Sequence, residues 1–160
     1  MPNAAYLHLL LNHFPIIVNV AGVVVILAAI AWRSDAVVRA GLLLLILAAL
    51  FCVPTFMTGD GAADVVRHMD GVDAAAIKPH NQSSGYTLTL LSIEGLAALA
   101  AWILYRRPKE LPRWAVMTLL AFSIIASAHA TYTAMLGGRI HHPETHMKPS
   151  SGGAKATTSS

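Results

Sequence analysis

Apolar residues dominate the chain in four long runs, interrupted by three polar connections. The runs cover about residues 4–32, 37–58, 85–105 and 114–138. Each is long enough, as a helix, for a hydrocarbon core about 30 Å thick. None shows the alternation of a half-buried strand. Trp32, Tyr105 and Trp114 fall at run ends, where amphipathic rings favour the membrane interface. The pattern predicts an all-α integral membrane protein, an up-and-down four-helix bundle over residues 1–147 with a disordered Ser/Gly/Ala/Thr-rich tail at 148–160.

The connections differ in charge. The first holds Arg33 and Arg39, and the third holds Arg106, Arg107, Lys109 and Arg113. The longer second connection, about residues 59–84, sets Asp60, Asp64, Asp70 and Asp73 against Arg67 and Lys78. The excess of cations in the short connections places them in the cytoplasm, so both termini and the long connection face outward. Within it, Ala62, Val65, Val66 and Met69 recur at helical spacing, which suits a short surface helix over Gly61 to Met69. Asp70-Gly71 reads as a turn, and Asp73 caps a second short helix through Ala74 to Ile77.

Composition agrees. Of the 160 residues, 56% are hydrophobic and 12% charged, against about 25% charged in soluble domains. Mean hydropathy is +0.59. The pI near 9.3 reflects cations in short loops and gives no ground for nucleic-acid binding. Cys52 is the single cysteine. It permits no internal disulfide and no Cys-x-x-Cys-His haem attachment, and it reads as a small packing residue. The first apolar run has no basic leader and is too long for a cleaved signal, so it reads as a retained span.

The chemistry lies in the histidines. His8, His13, Thr58, His80, His141 and His142 all fall at similar depth near the outer face, and neither short connection holds a histidine. Neutral imidazole is the commonest protein metal ligand. His8 and His13 are five residues apart, about 140° around a helix, so they cannot clamp one ion as an i, i+4 pair. Pro15 removes the hydrogen bond to the Leu11 carbonyl and can kink the helix there. His8, Asn12, Pro15 and Asn19 form one stripe, and His13, Ile16, Ile17 and Val20 the adjacent face. Unpaired amides are costly in hydrocarbon, so Asn12 and Asn19 face other helices or a site. His142 follows Gly137-Gly138, which allows a sharp turn or a close approach. His13, His80 and His142, with His8, are the candidate ligands, and Arg139 is a candidate anchor. His68, His141 and His146 read as solvated. Met69 and Met147 would matter only for copper.

Two ionisable groups lie deeper. His129 is about 12 Å inside the outer end of its helix, and Glu94 is about nine residues into the third run. They are candidates for a hydrogen-bonded intramembrane pair or part of a proton path. The alternative is a protonated Glu94 bonded to Ser92, Ser123 or Ser127. Ser123, Ser127 and Thr131 share a face suited to small-residue helix packing.

The His8…His13-Phe14-Pro15 opening, Thr58-Gly59-Asp60-Gly61-Ala62, Asp70-Gly71-Val72 and Gly137-Gly138-Arg139-Ile140-His141-His142-Pro143-Glu144 span most of the chain in order. In this combination the chain resembles an uncharacterised family of small bacterial four-helix membrane proteins. The resemblance implies an acidic residue after the position of His80, where this chain has Asn81-Gln82-Ser83-Ser84. It also implies Arg more often at the position of His141, which favours His142 as the shared site residue. No settled activity comes with it.

The expected function is b-type haem binding with electron transfer at the periplasmic face of a bacterial inner membrane. Two histidines from diagonal helices, His13 or His8 with His80, would ligate the haem. His142 would serve a second haem or, with Arg139, a propionate. A quinone, a periplasmic cytochrome or other membrane redox subunits would be the partners. The alternatives are a copper or zinc site built from three of these histidines and a structural accessory subunit of a larger membrane complex. Either an electron-transfer or an accessory role suits the chain better than stand-alone catalysis. Four helices without an inverted repeat do not suggest a transporter.

Overall fold

The computed structural model describes residues 3–105 and 111–142. Six helices make up the regular structure of these residues: α1 (Ala4–Leu11), α2 (Phe14–Trp32), α3 (Asp35–Met57), α4 (Gly59–Val66), α5 (Ala74–Leu104) and α6 (Arg113–His141). Together α1 and α2 form one candidate membrane span, and α3, α5 and α6 form the others. Their outward faces are apolar: Leu9, Ile17, Leu50, Leu96 and Ile125 are each at least 60% exposed. Helices that are apolar on the outside as well as the inside belong in lipid.

The spans close into a ring in which α2 and α5 each pack against both α3 and α6. This leaves α2 and α5 diagonal, as an up-and-down bundle requires. At one end of the bundle, Ile26, Leu42, Leu45, Ala98, Leu119 and Leu120 fill the interior. A middle layer holds Cys52, Leu91 and Ala126, so the free thiol is a packing residue. Close approach depends on glycine at two crossings. A β-carbon on Gly22 would sit 2.6 Å from a Leu45 methyl, and one on Gly41 would overlap Ile26. Small residues at such crossings let membrane helices meet backbone to backbone.

At the other end the chain is more elaborate than four rods. The first span breaks at Asn12-His13, three residues before the point where Pro15 removes a donor. The carbonyl that Pro15 leaves unpaired, Leu11 O, lies 3.2 Å from the Thr55 hydroxyl and shares its hydrogen with Phe51 O at 2.8 Å. The break is therefore repaired by α3. The surface helix of the long connection runs over Gly59–Val66, starting two residues earlier than expected. Asp73 does cap a helix, accepting from Ala75 N at 3.0 Å. That helix does not stop at Ile77 but continues into the third span. The helix that carries the third span thus begins at Ala74, well before Gly85. Hydropathy fades across Lys78–Ser84, yet their backbone stays helical because the cap and the alanine turn favour it. The backbone of Asp73 also donates to Ile140 O at 2.9 Å, tying the connection to the end of α6. Helix α6 passes straight through Gly137-Gly138 to His141, with no turn at the glycines.

At the opposite end Arg33 closes α2 in the left-handed conformation, φ 52°. Ser34 N bonds Ala29 O and Arg33 N bonds Ile30 O, a Schellman-type cap. Arg39 donates to the carbonyl of Tyr105, joining the start of α3 to the end of α5. Arg106, Arg107, Lys109, His146, Met147 and the tail lie outside the described residues, as does the expected boundary at 147.

Packing at Gly41 and the open space around Gly138 give opposite expectations for the same substitution. Gly41→Ala should lower stability by about 1–2 kcal/mol, because overpacking outweighs the gain in helix propensity. Gly138→Ala should be neutral or stabilising by up to about 1 kcal/mol. Thermal unfolding in detergent measures both, and equal effects would contradict this packing.

Candidate functional site

His8 lies on α1, which starts from an Asn3 cap whose Oδ1 accepts from Tyr6 N at 2.9 Å. The ring faces the end of α3. Its Nδ1–H donates to Thr55 O at 3.0 Å, with Thr58 Oγ1 also within reach at 3.2 Å. Thr55 O lies in the last turn of α3, where carbonyls have lost their helical donors. The Thr58 hydroxyl donates to Pro54 O or Thr55 O, so its oxygen is free to accept from the imidazole.

His80 lies on α5, one residue past Pro79. Its Nδ1–H donates to Thr133 O of α6 at 3.0 Å. The ring reaches that carbonyl by lying over Gly137: a β-carbon there would sit 3.0 Å from Cε1 and 3.2 Å from Nδ1. The double glycine therefore serves close approach at its first position and not a turn.

The two imidazoles meet edge to face, with ring centroids 6.4 Å apart and planes at 84°. Both are half-buried. A carbonyl oxygen can only accept, so each Nδ1 must carry the hydrogen. This fixes the tautomer and leaves each Nε2 as a bare lone pair. Among the described residues neither Nε2 has a hydrogen-bond partner. Metal-ligating histidines are commonly oriented in this way, with one ring nitrogen donating to a backbone carbonyl and the other presented to the metal.

The remaining candidates lie elsewhere. His13 is the exposed N-cap residue of α2 without a side-chain capping bond, and no ring contact or hydrogen bond joins it to the pair. The five-residue offset and the break at Asn12-His13 put His8, not His13, opposite His80. His142 is exposed and ends α6, its backbone N–H bonded to Gly138 O. Arg139, His141 and His68 are exposed. Among the described residues no three His, Cys, Asp or Glu side chains group closely enough to hold a metal ion.

Glu94 and His129 are not partners. His129 Nδ1 meets Thr87 Oγ1 at 3.0 Å. Thr87 continues to Thr133 Oγ1 at 2.8 Å, and Thr133 to Ser83 Oγ at 2.6 Å. Thr133 also carries the carbonyl that holds His80. A ladder of hydroxyls thus joins His129 to the His80 end along the α5–α6 interface. Glu94 lies two turns further along α5, about 10 Å from Thr87, beyond the apolar layer of Leu91. Its neighbours are Asn19 and Ser123, so the alternative of a hydroxyl partner for Glu94 describes it better than a pair with His129. Composition and spacing could not reveal Thr55 O and Thr133 O, because backbone acceptors leave no mark in residue type. The one signal was indirect: Pro15 strips the donor from Leu11 O, the carbonyl that the Thr55 side chain meets.

Tautomers provide a direct check. In ¹⁵N-histidine NMR of the purified chain, His8 and His80 should both show the Nδ1–H form, and an Nε2–H form at either would contradict the carbonyl bonds. Gly137→Val should disturb His80 but not His8. Compared with known proteins, the chain matches no family model, no curated protein and no solved structure, so the motif-level resemblance carries no assignment and the reading of the site rests on its geometry.

Proposed function

We propose that the chain is a b-type haem-binding electron-transfer protein of a bacterial inner membrane, in which His8 and His80 would hold the haem iron. The observation that carries this reading is the pair of carbonyl-anchored imidazoles on diagonal spans, 6.4 Å apart. With both Nδ1 atoms bound to carbonyls, the two Nε2 lone pairs are the donors that would be offered to a haem iron.

The donor count favours haem over a bare ion. Zinc or copper sites of protein ligands alone need three or more side chains, and no such group exists among the described residues. A porphyrin brings four equatorial nitrogens and needs only two from the protein. Bound haem supplies a one-electron couple. The chain's own residues do the rest: Thr55 O and Thr133 O hold the ring orientations, and Gly137 leaves room for His80. The apolar spans keep water away. Exposed Arg139 and His142, at the end of α6, are suited to a propionate.

Orientation follows from charge. Arg33, Arg39 and Arg113 gather at the end opposite the histidine pair, which supports reading the pair and both termini as facing the periplasm. A periplasmic cytochrome, a quinone or a neighbouring membrane redox subunit is then the electron partner.

Protein expressed with ample haem should show a sharp Soret band and, after dithionite, a resolved alpha band. His8→Ala and His80→Ala should each abolish the six-coordinate spectrum, while His13→Ala and His142→Ala should keep it. Featureless spectra, or spectra unchanged in both of the first two variants, would overturn the proposal. Metal analysis of haem-free protein then tests for copper or zinc.

A further inference from the structure

Glu94 is fully buried, as are Asn19 and Ser123, all at 0% exposure. It lies where three spans meet: Glu94 is on α5, Asn19 on the diagonal α2, and Ser123 and Ser127 on α6. No cation pairs with it among the described residues, where Arg67–Asp64 is the ion pair found. An isolated carboxylate in a bundle interior is expensive, and a carboxylic acid is not.

The geometry around Asn19 admits two proton states without moving a heavy atom, apart from exchanging the amide O and N. In one, Asn19 Nδ2 donates to Ser127 Oγ at 3.0 Å. Asn19 Oδ1 then faces the Glu94 oxygens at 3.1 and 3.2 Å. Two oxygens at that separation need a hydrogen between them, which a protonated Glu94 provides. In the other, the amide is rotated by a half-turn. Nδ2 donates to both carboxylate oxygens at 3.1 and 3.2 Å, and Oδ1 accepts from Ser127 Oγ at 3.0 Å. Ser127 changes from acceptor to donor. Ser123 Oγ donates to Leu119 O at 2.8 Å and also neighbours the Glu94 carboxyl.

We propose that Glu94 is an exchangeable proton-binding site in the centre of the bundle, and that rotation of the Asn19 amide accompanies loss of the proton. Titratable groups on the surrounding helices are few. α2 contributes none along its length. α3 contributes Cys52, in the adjacent apolar layer; α6 contributes His129, engaged with Thr87, with Tyr132, Arg139 and His141 beyond it toward the histidine end and Arg113 at the opposite end. The charged residues of α3, Asp35 and Arg39, lie at the far end, and those of α4, Asp60 and Asp64, lie at the histidine end. Nothing nearby supplies a fixed positive charge. A proton taken up here would offset an electron delivered to the histidine end. That coupling rests on the haem reading, but the proton site does not.

Infrared spectroscopy of the full chain in lipid nanodiscs, without added haem, tests the site. At neutral pH a protonated-carboxyl C=O band should appear and shift on transfer to D₂O. The band should be absent from Glu94→Gln and should disappear reversibly as pH rises. Asn19→Leu should change its frequency, because the hydrogen bond to the acid is lost. No band at neutral pH, or a band kept in Glu94→Gln, would overturn the proposal. So would a band that survives until the chain unfolds, since Glu94 would then be a static structural acid. An unchanged frequency in Asn19→Leu would overturn the role of the amide. Should Glu94→Gln not fold, the deuterium shift and alkaline loss in the unsubstituted chain decide the matter.

Discussion

Hydrocarbon offers no hydrogen bonds, so every polar group inside the bundle must find its partner in the protein. That constraint organises the histidine end of this chain. Pro15 strips the donor from Leu11 O, and the Thr55 hydroxyl, shared with Phe51 O, takes its place. Near its C-terminus α3 leaves Thr55 O without a helical donor, and His8 supplies one. His80 does the same at Thr133 O, sharing a carbonyl within a continuous helix. Each repair fixes a side chain in space. Two of those side chains are imidazoles, and fixing their Nδ1 atoms turns both Nε2 atoms into available lone pairs.

The same constraint separates the interior into two polar networks. The hydroxyl ladder of Ser83, Thr87 and Thr133 belongs to the α5–α6 interface and reaches His129. The Asn19–Glu94–Ser127 cluster bridges α2 to α5 and α6, joining the diagonal spans that ring packing alone would leave apart. Leu91, Cys52 and Ala126 form the apolar layer between them. Buried polar networks are costly when half-satisfied and specifying when complete. Here they fix the register of helices whose surfaces are otherwise uniform aliphatic faces. Glycine completes the arrangement where backbones or rings must touch, at Gly22, Gly41 and Gly137.

Much of this was legible in the sequence. Four apolar runs announced four spans, and the Asp73 cap and the surface helix after Thr58 were visible in residue type. His13, His80 and His142, with His8, were the ligand candidates at one depth, and of these His8 and His80 lie together. Three things were not legible. The start of α5 was hidden because hydropathy locates lipid contact, whereas a helix can extend past the lipid on its cap. The choice of His8 over His13 depended on rotation about α1, which changes at the Asn12-His13 break. The true partner of Glu94 depended on which helix faces it: depth pointed to His129, but Asn19, from the diagonal span, occupies that place. Gly137 was noted for two possible uses, and only the position of the His80 ring distinguishes them.

The central claim is that His8 and His80 meet across the bundle as one pair. Solid-state NMR of histidine-labelled protein in lipid bilayers tests it without any cofactor. Ring centroids 6.4 Å apart should give a through-space cross-peak between the His8 and His80 side chains, absent from His80→Ala. A spectrum in which His8 correlates with neither ring nucleus of His80, while its contact with Thr55 is present, would contradict the account.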